Sequence, residues 1–128
     1  MKKTALQFFC ILLLGAGSTR AQSIVNTSWK LFIGGEVNDT LTLHIKTDSS
    51  FVTNSNGDVM VRSTCKLSAD TLVLNDFEGN FACPGQGTYK YAIAGDNLTM
   101  DLINDQCQGR ADNINGAKWT RVKGKPTK

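Results

Sequence analysis

Apolar positions in this chain recur with a period of two nearly everywhere. Thr27 to Ile33 puts Trp29, Leu31 and Ile33 on one face, and Thr40 to Lys46 puts Leu41, Leu43 and Ile45 on one face with Thr42, His44 and Lys46 on the other. Val59 to Leu67 alternates Val59, Val61, Ser63, Cys65 and Leu67 against Met60, Arg62, Thr64 and Lys66. Thr88 to Ala94 offers Tyr89, Tyr91 and Ile93, and Asn97 to Ile103 offers Leu98, Met100 and Leu102. Alternation of this kind marks strands with one buried and one wet face. Phe51 to Asn54, Thr71 to Phe77 and Gly116 to Val122 are weaker strands, which brings the predicted total to eight. Only Gln108 to Asn115 has room for a short turn of helix.

The breaks carry turn chemistry: Ser68-Ala69-Asp70, Asn56-Gly57-Asp58 and Gly95-Asp96, with Gly34-Gly35 and Asn38-Asp39 bracketing the first connection. Short connections make neighbours in sequence neighbours in space. An eight-strand meander leaves two raw edges, and closing it removes both. The predicted fold is therefore all-β: a single eight-stranded antiparallel up-and-down barrel. Alternate connections then gather at one rim. Cys83, between the fifth and sixth segments, and Cys107, between the seventh and eighth, share a rim and are expected to be bridged. Cys65 sits inside the fourth segment, facing in, as a free buried thiol.

The first 21 residues read differently. Met1-Lys2-Lys3 is a positive start, Leu6 to Leu14 is apolar except for Gln7, and a small-residue run ends at Ala21. That order is a secretory signal, bacterial in style, with a cut after Ala21. Its apolar stretch is short of the roughly 20 residues that span a bilayer. The expectation is an exported protein, secreted or periplasmic and without an integral membrane segment once cut. An oxidising compartment also suits a disulfide. Residues 22–122 form the barrel domain and 123–128 a basic, frayed tail.

Cleavage alters the charge. The chain has 14 Lys+Arg against 11 Asp+Glu, and losing Lys2, Lys3 and Arg20 leaves 11 against 11. The basic balance belongs to the targeting segment, so no nucleic-acid partner is expected.

Candidate chemistry is sparse. His44 is the single histidine and points outward, so no Ser-His-Asp set assembles around it. The cysteines are too few and too far apart for zinc, and neither metal nor cofactor is expected. Asp105 and Arg110 are placed to clamp the last loop at the surface. Tyr89, Tyr91, Met100 and Phe51 are the large inward side chains, and the tyrosine hydroxyls could serve as polar points in an apolar pocket.

With Trp29 near the start of the first strand and Trp119-Thr120-Arg121 on the last, the layout resembles the lipocalin-like (calycin) group. There a tryptophan on the first strand packs against a basic residue from the end of the barrel and closes one mouth; Trp29 and Arg121 match those roles, with Thr27 where the group carries a glycine. The second half resembles short bacterial lipocalin-like domains through Cys83-Pro84, Gly87-Thr88-Tyr89, Gly95-Asp96, Leu98-Thr99, Asp105, Cys107, Arg110 and Trp119. The resemblance covers about a third of the chain. It implies the barrel and the bridge, and little about activity.

Two functions fit. One is a non-catalytic binding protein holding a small apolar ligand in or at the mouth of the barrel. The other is a protein-interaction barrel, such as an envelope enzyme inhibitor, using the disulfide-tied loops with Phe81 as anchor. A cavity of roughly 300 Å³ or more lined by Tyr89, Tyr91 and Met100 favours the first. A filled interior with Phe81 exposed favours the second.

Overall fold

The computed structural model describes residues 23–124. The signal segment, its cut after Ala21 and most of the basic tail lie outside the described residues. Eight strands follow one another: β1 (Thr27–Ile33), β2 (Asp39–Ile45), β3 (Ser49–Thr53), β4 (Val59–Ser68), β5 (Thr71–Glu78), β6 (Gln86–Ala94), β7 (Asn97–Asp105) and β8 (Lys118–Arg121). Each pairs antiparallel with the next, and β8 returns to β1 to close a barrel. The short helix α1 (Gln108–Ile114) lies between β7 and β8, where one helical turn is expected from the sequence.

Closure rests on few backbone pairs: β1 meets β8 at Trp29↔Arg121 and Lys30↔Thr120, and the Val122 N–H donates to the Ser28 carbonyl beside them at 2.8 Å. Side chains reinforce it. Trp29 is fully buried and the Arg121 guanidinium lies 4.5 Å from the centre of its ring, a cation–π contact. Trp29 Nε1 donates to Thr27 Oγ1 at 2.7 Å, and the Thr27 hydroxyl donates to the carbonyl of Ile24. Thr27 thereby fixes the indole and pins the entering chain, so that buried Ile24 plugs this end. Above the plug, Ile45, Leu72, Leu98, Tyr89 and Cys65 pack as a continuous core. Each large apolar side chain buried here contributes about 1.5–3 kcal/mol.

One strand turns the other way from its sequence reading. Phe51 does not face the interior. Register pairs Leu43 with Val52, Ile45 with Ser50 and His44 with Phe51. Because Leu43 and Ile45 point inward, Val52 and Ser50 do too, and Phe51 is left on the outer face beside His44. A one-residue shift flips every side chain of a strand, and the five residues of β3 carry too little alternation to reveal it. The Phe51 ring is sheltered where it lies. It stacks on His44 with ring centres 4.4 Å apart, and the Arg62 guanidinium sits 5.8 Å from its centre.

His44 has partners as well. Its Nδ1 lies 3.0 Å from Ser28 Oγ and its Nε2 lies 3.0 Å from Thr53 Oγ1. The second nitrogen meets a hydroxyl and no carboxylate, so the Ser28–His44 contact lacks the acid that would orient a catalytic base. Partial burial, and then the charge of Lys46, hold the imidazole pKa below its ordinary value. The folded barrel therefore prefers the neutral ring, while the unfolded chain takes up a proton as pH falls below about 6.5. Stability contributed by His44 is present above that pH and is lost as pH falls through the folded value. A His44→Gln variant should show a flatter dependence of Tm on pH between about pH 7 and pH 5 than the wild type; parallel curves would disprove the assignment.

Candidate functional site

The odd-numbered connections, β1–β2, β3–β4, β5–β6 and β7–β8, meet at the rim opposite the Trp29 plug. Cys83 and Cys107 lie in two of them and are joined in a disulfide with Cα atoms 6.0 Å apart. The bridge ties the β5–β6 loop to the entry of α1. Cys107 is also the helix N-cap, its backbone N–H donating to Asp105 Oδ1 at 2.8 Å.

Arg110 stands at the centre of this rim. Its Nε donates to Asp105 Oδ2 at 2.8 Å, and Nη2 donates to Asp105 Oδ1 at 2.7 Å and to the carbonyl of Gly85 at 2.8 Å. Nη1 lies 3.1 Å from Asp76 Oδ2 and donates to the carbonyl of Cys83 at 3.3 Å. All five donors of a guanidinium are thus engaged. The carboxylates are held from the other side too: Asp76 accepts from Ser63 Oγ at 2.6 Å and from the Cys83 N–H at 3.0 Å, and Asp105 accepts from the Tyr89 hydroxyl. One side chain therefore joins α1, β5, β7 and the β5–β6 loop. The backbone leaves room for it at Gly87, where an added Cβ would fall 2.5 Å from Asp105 Oδ2 and 3.0 Å from Arg110 Nε.

The sequence reading of Asp105 and Arg110 as a surface clamp is corrected in one respect. The Arg110, Asp76 and Asp105 side chains are 8%, 5% and 0% exposed, so the pair belongs to a buried cluster. Burial raises the Asp105 pKa, but hydrogen bonds from Arg110, Tyr89 and the Cys107 N–H outweigh it and hold the carboxyl below its usual value. Burial, with the adjacent Asp105 carboxylate, drives the Tyr89 hydroxyl well above its ordinary value. The Arg110 guanidinium is raised as well, chiefly by its hydrogen bonds to Asp105.

Beside the cluster a cavity of about 320 Å³ opens at this rim. Leu41, Leu43, Val52, Val61, Leu74, Met100 and Trp119 form its apolar wall, and Phe81, Asn113 and Ile114 stand toward its mouth. Of the four side chains expected to line a pocket, Met100 alone does so. Tyr89 is buried outside the cavity, its hydroxyl spent on Asp105. Tyr91 packs at the edge of the core and donates to the carbonyl of Ala69, in the β4–β5 turn at the far rim, at 3.0 Å. Phe51 is outside the barrel. Asp76, the second carboxylate on Arg110, escaped the sequence reading, although the Leu72, Leu74, Asp76 alternation places it inward. Ser50 escaped because the predicted third strand began one residue after it.

Elsewhere the chemistry is quiet. Among the described residues Cys65 is free and buried, and burial, then nearby Asp48, pushes its thiol up to about 11. Among the described residues no three His, Cys, Asp or Glu side chains are grouped to hold a metal ion, and no helix is long and apolar enough to cross a membrane. Compared with protein-family models, with curated proteins and with solved structures, the chain matches none.

Removing Arg110 leaves two buried carboxylates without their counter-charge. Arg110→Ala should cost about 3–5 kcal/mol, read as a lower urea midpoint for the whole barrel; an unchanged midpoint would show that the cluster is not structural. The double substitution Cys83→Ser with Cys107→Ser, opening a loop of 24 residues, should cost on the order of 3 kcal/mol. The depressed Asp105 pKa adds stability above about pH 4 that is lost as pH falls through the folded value. Asp105→Asn should remove that part of the acid dependence of Tm.

Proposed function

We propose that the mature barrel is an exported, non-catalytic binding protein of lipocalin-like type, which holds a small, largely apolar molecule in the cavity at its disulfide-tied mouth. The carrying observation is the cavity of about 320 Å³, open at one rim and walled by Leu41, Leu43, Val52, Leu74 and Met100. Ligand sites are mostly apolar concavities of roughly 300–1,000 Å³, so this one suits a small guest. A void in a core costs stability, and this one is kept open beside a cluster that stiffens its entrance. The Arg110 donors are used up within the protein, which assigns them to shaping the mouth and leaves apolar contact as the main source of affinity. Export draws support from the signal-like start of the chain and from the disulfide. The Trp29–Arg121 contact at the closed end supports the lipocalin-like comparison.

A second reading, a protein-interaction barrel, draws on the exposed aromatics of the same rim. Phe32 is 61%, Phe77 62% and Phe81 44% exposed, and Phe81 stands on the loop that the disulfide anchors. Exposed aromatics on rigid loops make good anchors. The filled interior that this reading expected is absent, and the cavity gives the ligand the stronger case.

A neutral, apolar fluorescent dye such as N-phenyl-1-naphthylamine should bind with one-to-one stoichiometry and perturb the tryptophan emission, since Trp119 lines the cavity. Val52→Trp should fill the cavity and abolish dye binding while leaving the far-ultraviolet circular dichroism unchanged. Wild-type protein that binds neither the dye nor any molecule detectable by native mass spectrometry would refute the proposal.

A further inference from the structure

The polar atoms along the cavity wall are unequally employed, and the difference bears on the ligand's head group. Ser50 is 3% exposed and lines the cavity, and its hydroxyl makes no hydrogen bond among the described residues. It pairs in register with Ser63 on the neighbouring strand. Both lie deeper than Val52 and Val61, because β3 runs toward the open rim and β4 away from it. Ser63 gives its hydrogen to Asp76 and keeps only lone pairs for a guest. The inner end of the cavity therefore presents one hydroxyl free to donate or accept and one that can only accept. The Trp119 indole, also on the wall, is 4% exposed and its Nε1–H lacks an acceptor. A buried polar group left unpaired, as the Trp119 Nε1–H is among the described residues, costs about 1–3 kcal/mol, and a guest that bonds to it or to the Ser50 hydroxyl gains affinity.

Charge narrows the choice further. Asp76 and Asp105 bring two carboxylates to one guanidinium whose donors are all engaged. The cluster carries an excess negative charge, and nothing on the cavity wall is left to neutralise a carboxylate guest. A like charge brought into a low-dielectric pocket is disfavoured.

We propose, building on the apolar-ligand reading above, that the cavity selects amphiphiles with a neutral head group that both donates and accepts hydrogen bonds, a hydroxyl or a primary amide, over those ending in a carboxylate. The head sits at Ser50 and Ser63. It donates to the Ser63 oxygen and accepts from the Ser50 hydroxyl, while the chain lies along the apolar wall.

The test compares decanol, decanamide and decanoate as competitors for the bound dye. At neutral pH decanol and decanamide should bind at least about tenfold more tightly than decanoate, the worth of one to two good hydrogen bonds. The gap should narrow as pH falls toward about 5, where decanoate takes up a proton and becomes a neutral donor and acceptor. Ser50→Val keeps a good strand former at a position whose side chain makes no hydrogen bond among the described residues. It should weaken decanol about five- to tenfold more than it changes the affinity for the apolar dye. Equal affinities at neutral pH would overturn the head-group selection while leaving the apolar-ligand reading intact. Undiminished decanol affinity in Ser50→Val would overturn the assignment to Ser50 and Ser63. Failure of dye and competitors alike to bind would overturn both readings.

Discussion

The open end of this barrel is organised around one guanidinium. Arg110 sets its donors against two carboxylates and two backbone carbonyls, drawn from β5, β7 and the β5–β6 loop. Burying charges is costly and is tolerated only when every partner is satisfied. Here Ser63, Tyr89 and the N–H groups of Cys83 and Cys107 complete both carboxylates. The rim is therefore held by a buried ion cluster, whereas the opposite end is held mainly by packing, with Thr27 tethering the Trp29 indole.

That division explains why a small barrel can keep a cavity. At the closed end Ile24, Trp29 and Leu98 fill the interior, and Arg121 covers the indole. At the open end the apolar residues line space without filling it, and the stability forgone there is offset by the ion cluster and by the disulfide. The two ends contribute differently, a packed core below and a bonded, shaped entrance above. The proposed binding function needs that arrangement, with the scaffold rigid and the apolar surface left open at the rim.

Several features that carry the lipocalin-like resemblance meet at one place in space. Cys83, Gly87, Tyr89, Asp105, Cys107 and Arg110 are scattered over 28 residues of sequence, yet all belong to the cluster or to the bridge beside it. Their spacing reflects a single physical unit: a bridge across the rim, an arginine behind it, and a glycine that leaves room for the carboxylate.

The amino-acid order alone determined the eight strands, their sequence in the sheet, the closure of the meander and the rim shared by Cys83 and Cys107. Side-chain alternation and turn chemistry are local, and a meander converts them directly into topology. Only the tertiary structure decided that Phe51 faces out and Ser50 in, that Asp76 joins Asp105 on Arg110, and that Met100 meets the cavity while Tyr89 and Tyr91 spend their hydroxyls elsewhere. A period of two tells which side of the sheet a residue occupies. It does not tell the residue's height along the barrel axis or which side chains the register brings opposite, and those two quantities separate a packed core from a binding site.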